Sequence, residues 1–184
     1  MKKAINILIK PIIVLMILLS TTGFTPSGQQ DNLRDEATLK ALFIYNFTKQ
    51  IEWPSSNLSS QKFVIGIYGR TEVGDRLTQL LGSRKIFDKT LEVRQLKSGD
   101  EMEACQIVFI AKSNVVKIAD HFDKLQSKGV LTISEEKSIV NKGICINILE
   151  KEEKMCFEIS ESAFKKSNLK VSKQLIDLAT SVKQ

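Results

Sequence analysis

Lys142–Ile159 reads K-G-I-C-I-N-I-L-E-K-E-E-K-M-C-F-E-I, and its alternation decides how the rest of the chain is read. Ile144, Ile146 and Ile148 fall on one side of an extended arm. Met155, Phe157 and Ile159 do the same on the return. A period of two marks a strand with one buried face, so the stretch predicts an antiparallel hairpin. The other face carries Cys145, Asn147, Lys154, Cys156 and Glu158, provided the loop holds an even number of residues. A feature of this kind fixes a structure and performs no reaction by itself.

Upstream of the hairpin, Lys62–Tyr68 (K-F-V-I-G-I-Y), Thr90–Leu96, Gln106–Ala111 and Gly129–Ser134 read as strands. Helices are predicted over Asp35–Glu52, Thr71–Leu81 and Asn114–Ser127, then over Glu161–Lys166 and Val171–Val182. In the first of these, Leu39, Phe43, Phe47 and Ile51 recur every four residues, with Ala41, Ile44 and Tyr45 forming a second stripe. A helix apolar nearly all round is buried on more than one side. Trp53-Pro54 is expected to end it, because proline disfavours helical geometry in the residue before it. Strands alternating with helices, followed by an antiparallel hairpin, imply an α/β fold: a single layered domain over 35–182, its mixed β-sheet flanked by helices.

The first residues are set aside from the fold. Met1-Lys2-Lys3 is basic, Pro11–Leu19 is uninterrupted and apolar, and small and polar residues follow. That is the layout of a secretory signal peptide over about residues 1–25. The rival reading, a retained anchor from Ala4 to Phe24, is interrupted by Lys10, and the clean run is short of the roughly 20 residues a membrane span needs. Loss of Lys2, Lys3 and Lys10 lowers the formal charge from +6 to +3. The remaining basic residues are interleaved with acidic ones, which removes the main support for a nucleic-acid or membrane-surface role. The reading is an exported protein without a membrane anchor after cleavage.

Export bears on the three cysteines, since disulfides persist outside the cytoplasm. The tip Leu149-Glu150-Lys151-Glu152 has no Gly or Asn, which argues against a two-residue primed turn. A four-residue loop there places Cys145 opposite Cys156; moving it by one residue makes the two diagonal, and an odd loop separates them. The alternative is two reduced thiols. Cys105 opens an apolar run and reads as a buried free thiol.

Catalytic constellations are not evident. The single histidine, His121, has no G-x-S-x-G elbow to serve, and the cysteines lack the C-x-x-C spacing of a zinc site. Gly69-Arg-Thr-Glu-Val-Gly74 is followed by Asp75-Arg76 where a phosphate loop has Lys and then Ser or Thr, so it reads as a tight turn. Glu135-Glu136 and Glu152-Glu153 read as solvated surface. Tyr45, Phe47 and Trp53 are candidates for a ligand or dimer surface, with core packing as the competing reading. No enzyme, metal or cofactor is expected.

Several stretches together resemble the YfiR-like family of exported bacterial proteins: Lys40–Pro54 (K-A-L-F-I-Y-N-F-T-K-Q-I-E-W-P), Phe63–Gly69, Cys105–Ile110, Val130–Ser134, Cys145–Ile159 and the C-terminal V-S-K-Q-L-I-D-L-A. The resemblance implies a periplasmic, non-enzymatic, often dimeric regulator. Its partner would be the periplasmic sensory domain of a membrane-bound diguanylate cyclase, held inactive, with consequences for cyclic di-GMP and biofilm formation. It also implies that Cys145 and Cys156 match the hairpin cysteine pair. Cys105 matches a family cysteine that pairs with an upstream one, which this chain lacks, and Gln106 stands where many relatives have His. The partner surface is placed near Glu158, Leu169 and Val171. The alternative function is a periplasmic small-molecule-binding module near Tyr45, Phe47 and Trp53.

Overall fold

In the computed structural model, residues 35–112, 114–136 and 143–184 are described. The expected leader and most of the loop Glu135–Lys142 lie outside the described residues. The elements run α1 (Glu36–Thr48), β1 (Ile51–Glu52), β2 (Lys62–Tyr68), α2 (Val73–Leu81), β3 (Lys85–Ile86), β4 (Lys89–Leu96) and β5 (Ile107–Ile110). They continue through α3 (Phe122–Ser127), β6 (Leu131–Ser134), β7 (Ile146–Lys151), β8 (Lys154–Ser160), α4 (Glu161–Lys166), β9 (Lys170–Val171), α5 (Lys173–Leu178) and β10 (Ser181–Lys183).

Eight strands form one mixed sheet in the order β10-β8-β7-β6-β5-β2-β4-β3, and β1 with β9 makes a separate two-stranded ladder. The pairs from β4 through β2, β5 and β6 to β7 are parallel, and β8 returns antiparallel to β7. This is the expected α/β domain with its terminal hairpin. Both sheet faces are covered. Phe63, Ile65, Ile67, Ile107, Phe109, Leu131 and Ile133 point into a first core beneath α1 and α2. Their alternating neighbours Val64, Val108, Ile110 and Val130 join a second core with Met102, Cys105, Ile118, Phe122 and Leu125. Period-two patterning on a doubly covered sheet produces continuous apolar runs, which is why these strands look uniformly hydrophobic.

Three boundaries differ from the sequence reading, each for a tertiary reason. The first helix stops at Thr48, and Ile51–Glu52 pairs instead with Lys170–Val171. Asn114–Ser127 is not one helix: a 3-10 segment Val116–His121, with Ile118 at φ −120°, precedes α3. The terminal helix is only Lys173–Leu178, started by the Ser172 side chain accepting from Leu175 N–H, with a short strand on either side.

The two hairpin arms form as expected, but Ile144 joins the second core and Cys145 the first, the reverse of the expected facing, and the turn is displaced. Lys151 pairs with Lys154, leaving Glu152 and Glu153 as a two-residue connection at φ 50° and 59°. Positive φ at both central positions is the type I′ arrangement, whose twist matches that of paired strands. Here two glutamates adopt it without glycine or asparagine. The same device closes β3–β4 through Phe87 and Asp88, at φ 50° and 60°.

Candidate functional site

Two surface depressions are built by local sequence features. The first lies where α4 turns into β9. Ser160 caps α4 by accepting from Ala163 N–H at 3.3 Å, so the helix starts directly off the end of β8. It stops because Asn168 takes a left-handed φ of 51°, a conformation Asn tolerates better than most residues. Leu169 N–H then donates to Phe164 O at 3.1 Å, and Val171 pairs with Ile51. Ser172 secures the turn by donating from its backbone N–H to Gln50 O at 2.9 Å and from its hydroxyl to Gln50 Oε1 at 2.7 Å. The resulting groove of about 400 Å³ has Phe164, Leu169 and Val171 as its apolar lining and Glu161, Lys165 and Asn168 as its polar lining.

Leu169 and Val171, two of the expected partner-binding residues, therefore come together. Glu158 does not join them. It alternates with Phe157 and Ile159, which enter the first core, so it faces the opposite side of the sheet, 3.5 Å from Lys151 Nζ.

The second depression, about 410 Å³, sits at the carboxyl ends of β2, β5 and β6 and is lined by Asp35, Glu36, Lys40, Thr71, Lys112 and Glu135 among others. Here the chain leaves β2 towards β4 on one side while β5 and β6 extend the sheet on the other. Such a switch point is where open α/β sheets form ligand crevices. Lys40, from the otherwise apolar α1, is only 8% exposed. Its ammonium pairs with Glu135 and lies 2.5 Å from Glu36. Burial pushes the Lys40 pKa down, and the hydrogen bonds its ammonium donates to Glu135 and Glu36 more than offset this, leaving it raised. Glu135 also accepts from Lys112 N–H at 2.9 Å. The reading of Glu135 as solvated surface is corrected: its side chain is 13% exposed. A lysine inside an apolar helical stripe was the available signal.

The aromatic candidates separate. Phe47 is 1% exposed, with its ring 5.9 Å from Phe43 and 5.2 Å from Phe157. Trp53 is 7% exposed, and its Nε1–H donates to Gln106 O at 3.2 Å. Both belong to the core, so Tyr45, Phe47 and Trp53 do not form a common ligand surface. Tyr45 alone is half-buried at the periphery. Gln106 ties two segments together. Its Oε1 accepts from Val64 N–H at 2.7 Å, and its Nε2 donates to Asn57 O at 2.8 Å. His121 lies against Gly99, where a Cβ would come within 2.3 Å of Nε2.

All three cysteines are free thiols. The two-residue turn places Cys156 opposite Leu149, while Cys145 O accepts from Ser160 N–H at 3.0 Å. The hairpin cysteines are thus four residues out of register, roughly 13 Å along a strand, against a disulfide Cα separation below about 7 Å. The expected pairing of Cys145 with Cys156 failed because the turn lies further along the chain than the four-residue loop that would align them. Cys145 is fully buried, its thiol 3.8 Å from Ser167 Oγ, and burial raises its pKa. Burial likewise pushes the Cys105 thiol up to about 11. Among the described residues no cluster of three or more His, Cys, Asp or Glu is arranged to hold a metal, and no helix is long and apolar enough to cross a membrane.

These features sit on a chain whose residues 37–180 match the YfiR/HmsC-like family model. The protein belongs to that family. No curated protein matches its sequence. Among solved structures it is similar to the ABC domain in complex with L-Trp from Streptococcus pneumonia, at 9% identity and a TM-score of 0.52, covering 79% of this chain and 60% of that one. It is also similar to a conserved domain protein from Vibrio cholerae, at 10% identity and a TM-score of 0.52, covering 80% of this chain and 60% of that one. The chain thus spans less than two thirds of either structure, and at these identities the likeness concerns the fold alone.

Proposed function

We propose that this protein is a periplasmic regulatory binding protein, without catalytic activity of its own, that holds a membrane-bound diguanylate cyclase inactive by binding its periplasmic sensory domain. The family match across 37–180 carries the reading. The groove at Phe164, Leu169 and Val171 supports it as the contact surface, because an apolar floor with a charged rim suits an apolar anchor from a partner. A repressor of this kind acts by binding the inactive state more tightly than the active one, shifting the partner's population.

Deleting the gene in its host is expected to raise cyclic di-GMP several-fold. Unchanged cyclic di-GMP, with the cyclase expressed, overturns the reading. Val171→Glu, at the half-buried rim, is expected to reproduce the deletion while leaving folded protein in the periplasm. Light scattering on the purified protein tests the homodimer that the family resemblance implies.

The alternative of a small-molecule-binding module moves from the aromatic trio to the switch-point crevice, where Lys40, Thr71, Lys112 and Glu135 converge. A ligand there raises Tm by mass action in a thermal-shift screen, and Lys112→Ala abolishes the shift.

A further inference from the structure

The β3–β4 turn carries an unusual residue in an unusual conformation. Phe87 is 45% exposed and adopts φ 50°. A bulky side chain at positive φ is a backbone outlier that glycine or asparagine would relieve. The ring is propped from beneath: Trp53 lies 5.8 Å away at 67°, and Phe63 lies 6.0 Å away at 43°. It therefore projects from a rigid aromatic base at the tip of a convex turn.

Cations surround that tip. Arg84 and Lys85 are exposed in the preceding loop and strand, and Lys89 follows the turn. Arg84 Nη1 donates to Tyr45 Oη at 3.4 Å, and Lys49 Nζ lies 4.1 Å from the centre of the same ring, which extends the cationic surface along the end of α1. Lys89 Nζ donates to Ser60 O at 2.6 Å, and neither Arg84 nor Lys85 forms an ion pair among the described residues. Asp88 is the acid of the turn itself. Nearby Lys62 and Glu92 neutralise each other at 2.8 Å, as do Lys170 and Glu52 at 3.8 Å. The patch therefore retains net positive charge around one protruding aromatic.

We propose that this face is a membrane-contact site: Phe87 enters the interfacial layer of an anionic bilayer while Lys49, Arg84, Lys85 and Lys89 engage its acidic headgroups. The chemistry matches what such a surface rewards, namely an aromatic ring at headgroup depth and several cations within a Debye length of negative charge. None of Lys49, Arg84, Lys85, Phe87 and Lys89 lines the groove at Leu169 and Val171.

Trp53 is the single tryptophan of the chain, and it touches Phe87. Its fluorescence reports contact at this face, and residues 1–34 are common to every variant compared. Vesicles with brominated acyl chains and about a third phosphatidylglycerol are expected to quench it roughly twofold, while wholly phosphatidylcholine vesicles leave it unchanged. Combined Arg84→Glu and Lys85→Glu should weaken the vesicle dependence by more than about 30-fold, and high salt should weaken it too. Phe87→Gly relaxes the backbone, so it keeps the fold while losing the quenching. Equal quenching on neutral vesicles, or quenching that survives Phe87→Gly, overturns the proposal. So does loss of partner capture in the charge-reversal variant with vesicle quenching intact, which would make the patch a protein-docking surface.

Discussion

The two sides of the central sheet draw on the same strands yet are closed in different ways. Beneath α1 and α2 the core is continuous and rich in aromatics, holding Phe47, Phe63, Phe109, Phe157 and Phe164, with Phe47 and Phe157 in ring contact at 5.2 Å. The opposite side is aliphatic and sulfur-rich, roofed by 3-10 segments and the short α3, and it is tight enough that Gly66 is pressed against Leu96 and Cys105. The first side is stabilised by how much apolar area large side chains remove from water. The second is limited by fit, where one added carbon matters.

The largest contrast is expected in thiol chemistry. Cys105 and Cys145 lie in the second and first cores respectively, and Cys156 is half-buried on the hairpin. Alkylation of the native, non-reduced protein should modify Cys156 at least about 10³-fold faster than the other two, which wait for unfolding. Mass spectrometry after denaturation should find all three alkylated; a Cys145–Cys156 crosslink would break the register described above. Next comes Phe47→Ala, which should cost about 3–5 kcal/mol in urea unfolding. Gly66→Ala tests fit on the other side. The new Cβ would lie 2.6 Å from Leu96 Cδ1 and 2.8 Å from Cys105 Sγ, so a loss of about 1–3 kcal/mol is expected. Cys105→Ala in the same chain should return part of that loss; no recovery would mean the clash is with Leu96 alone.

The hairpin turn lies outside both cores and should respond oppositely. Glu153→Gly accepts φ 59° without strain and is expected to stabilise by about 0.5–1 kcal/mol in thermal melts. The smallest effect concerns the rim of the first side. The Arg76 hydrogen bond at 2.9 Å lowers the Asp35 pKa, with Thr38 adding to it. A carboxylate whose folded pKa is depressed contributes stability above its unfolded value, near 3.9, and loses it as pH falls through the lower folded value. Asp35→Asn should therefore flatten the acid limb of the stability–pH profile and lower stability slightly at neutral pH. An unchanged acid limb would show that this surface pair contributes nothing.

Particular residues show where sequence patterns stop being informative. Lys62–Tyr68 was legible to the residue because a short continuous apolar run is bounded by the following Gly69, at φ 95°. Ile51 continued a four-residue helical spacing and so looked helical; only its partner Val171, distant in sequence, makes it a strand. The 3-10 segment around Ile118 keeps an amphipathic stripe, so periodicity could not distinguish it from regular helix. Leu169 and Val171 line one groove because of the Asn168 turn and the Ser172–Gln50 hydrogen bonds, which no local pattern announces. Trp53 and Phe47 looked like surface candidates because aromatic type alone does not reveal burial.

The hairpin at Lys142–Ile159 shows the division of labour most plainly. By itself the sequence determined the α/β class, the existence of the two arms and the ordered motifs of the family, because alternation is a local property. Tertiary structure alone decided the register of the hairpin, and with it the separation of Cys145 from Cys156. Register is set by strand twist and by the match of both faces to two finished cores, and those forces hold two glutamates in a turn that local preference would give to glycine.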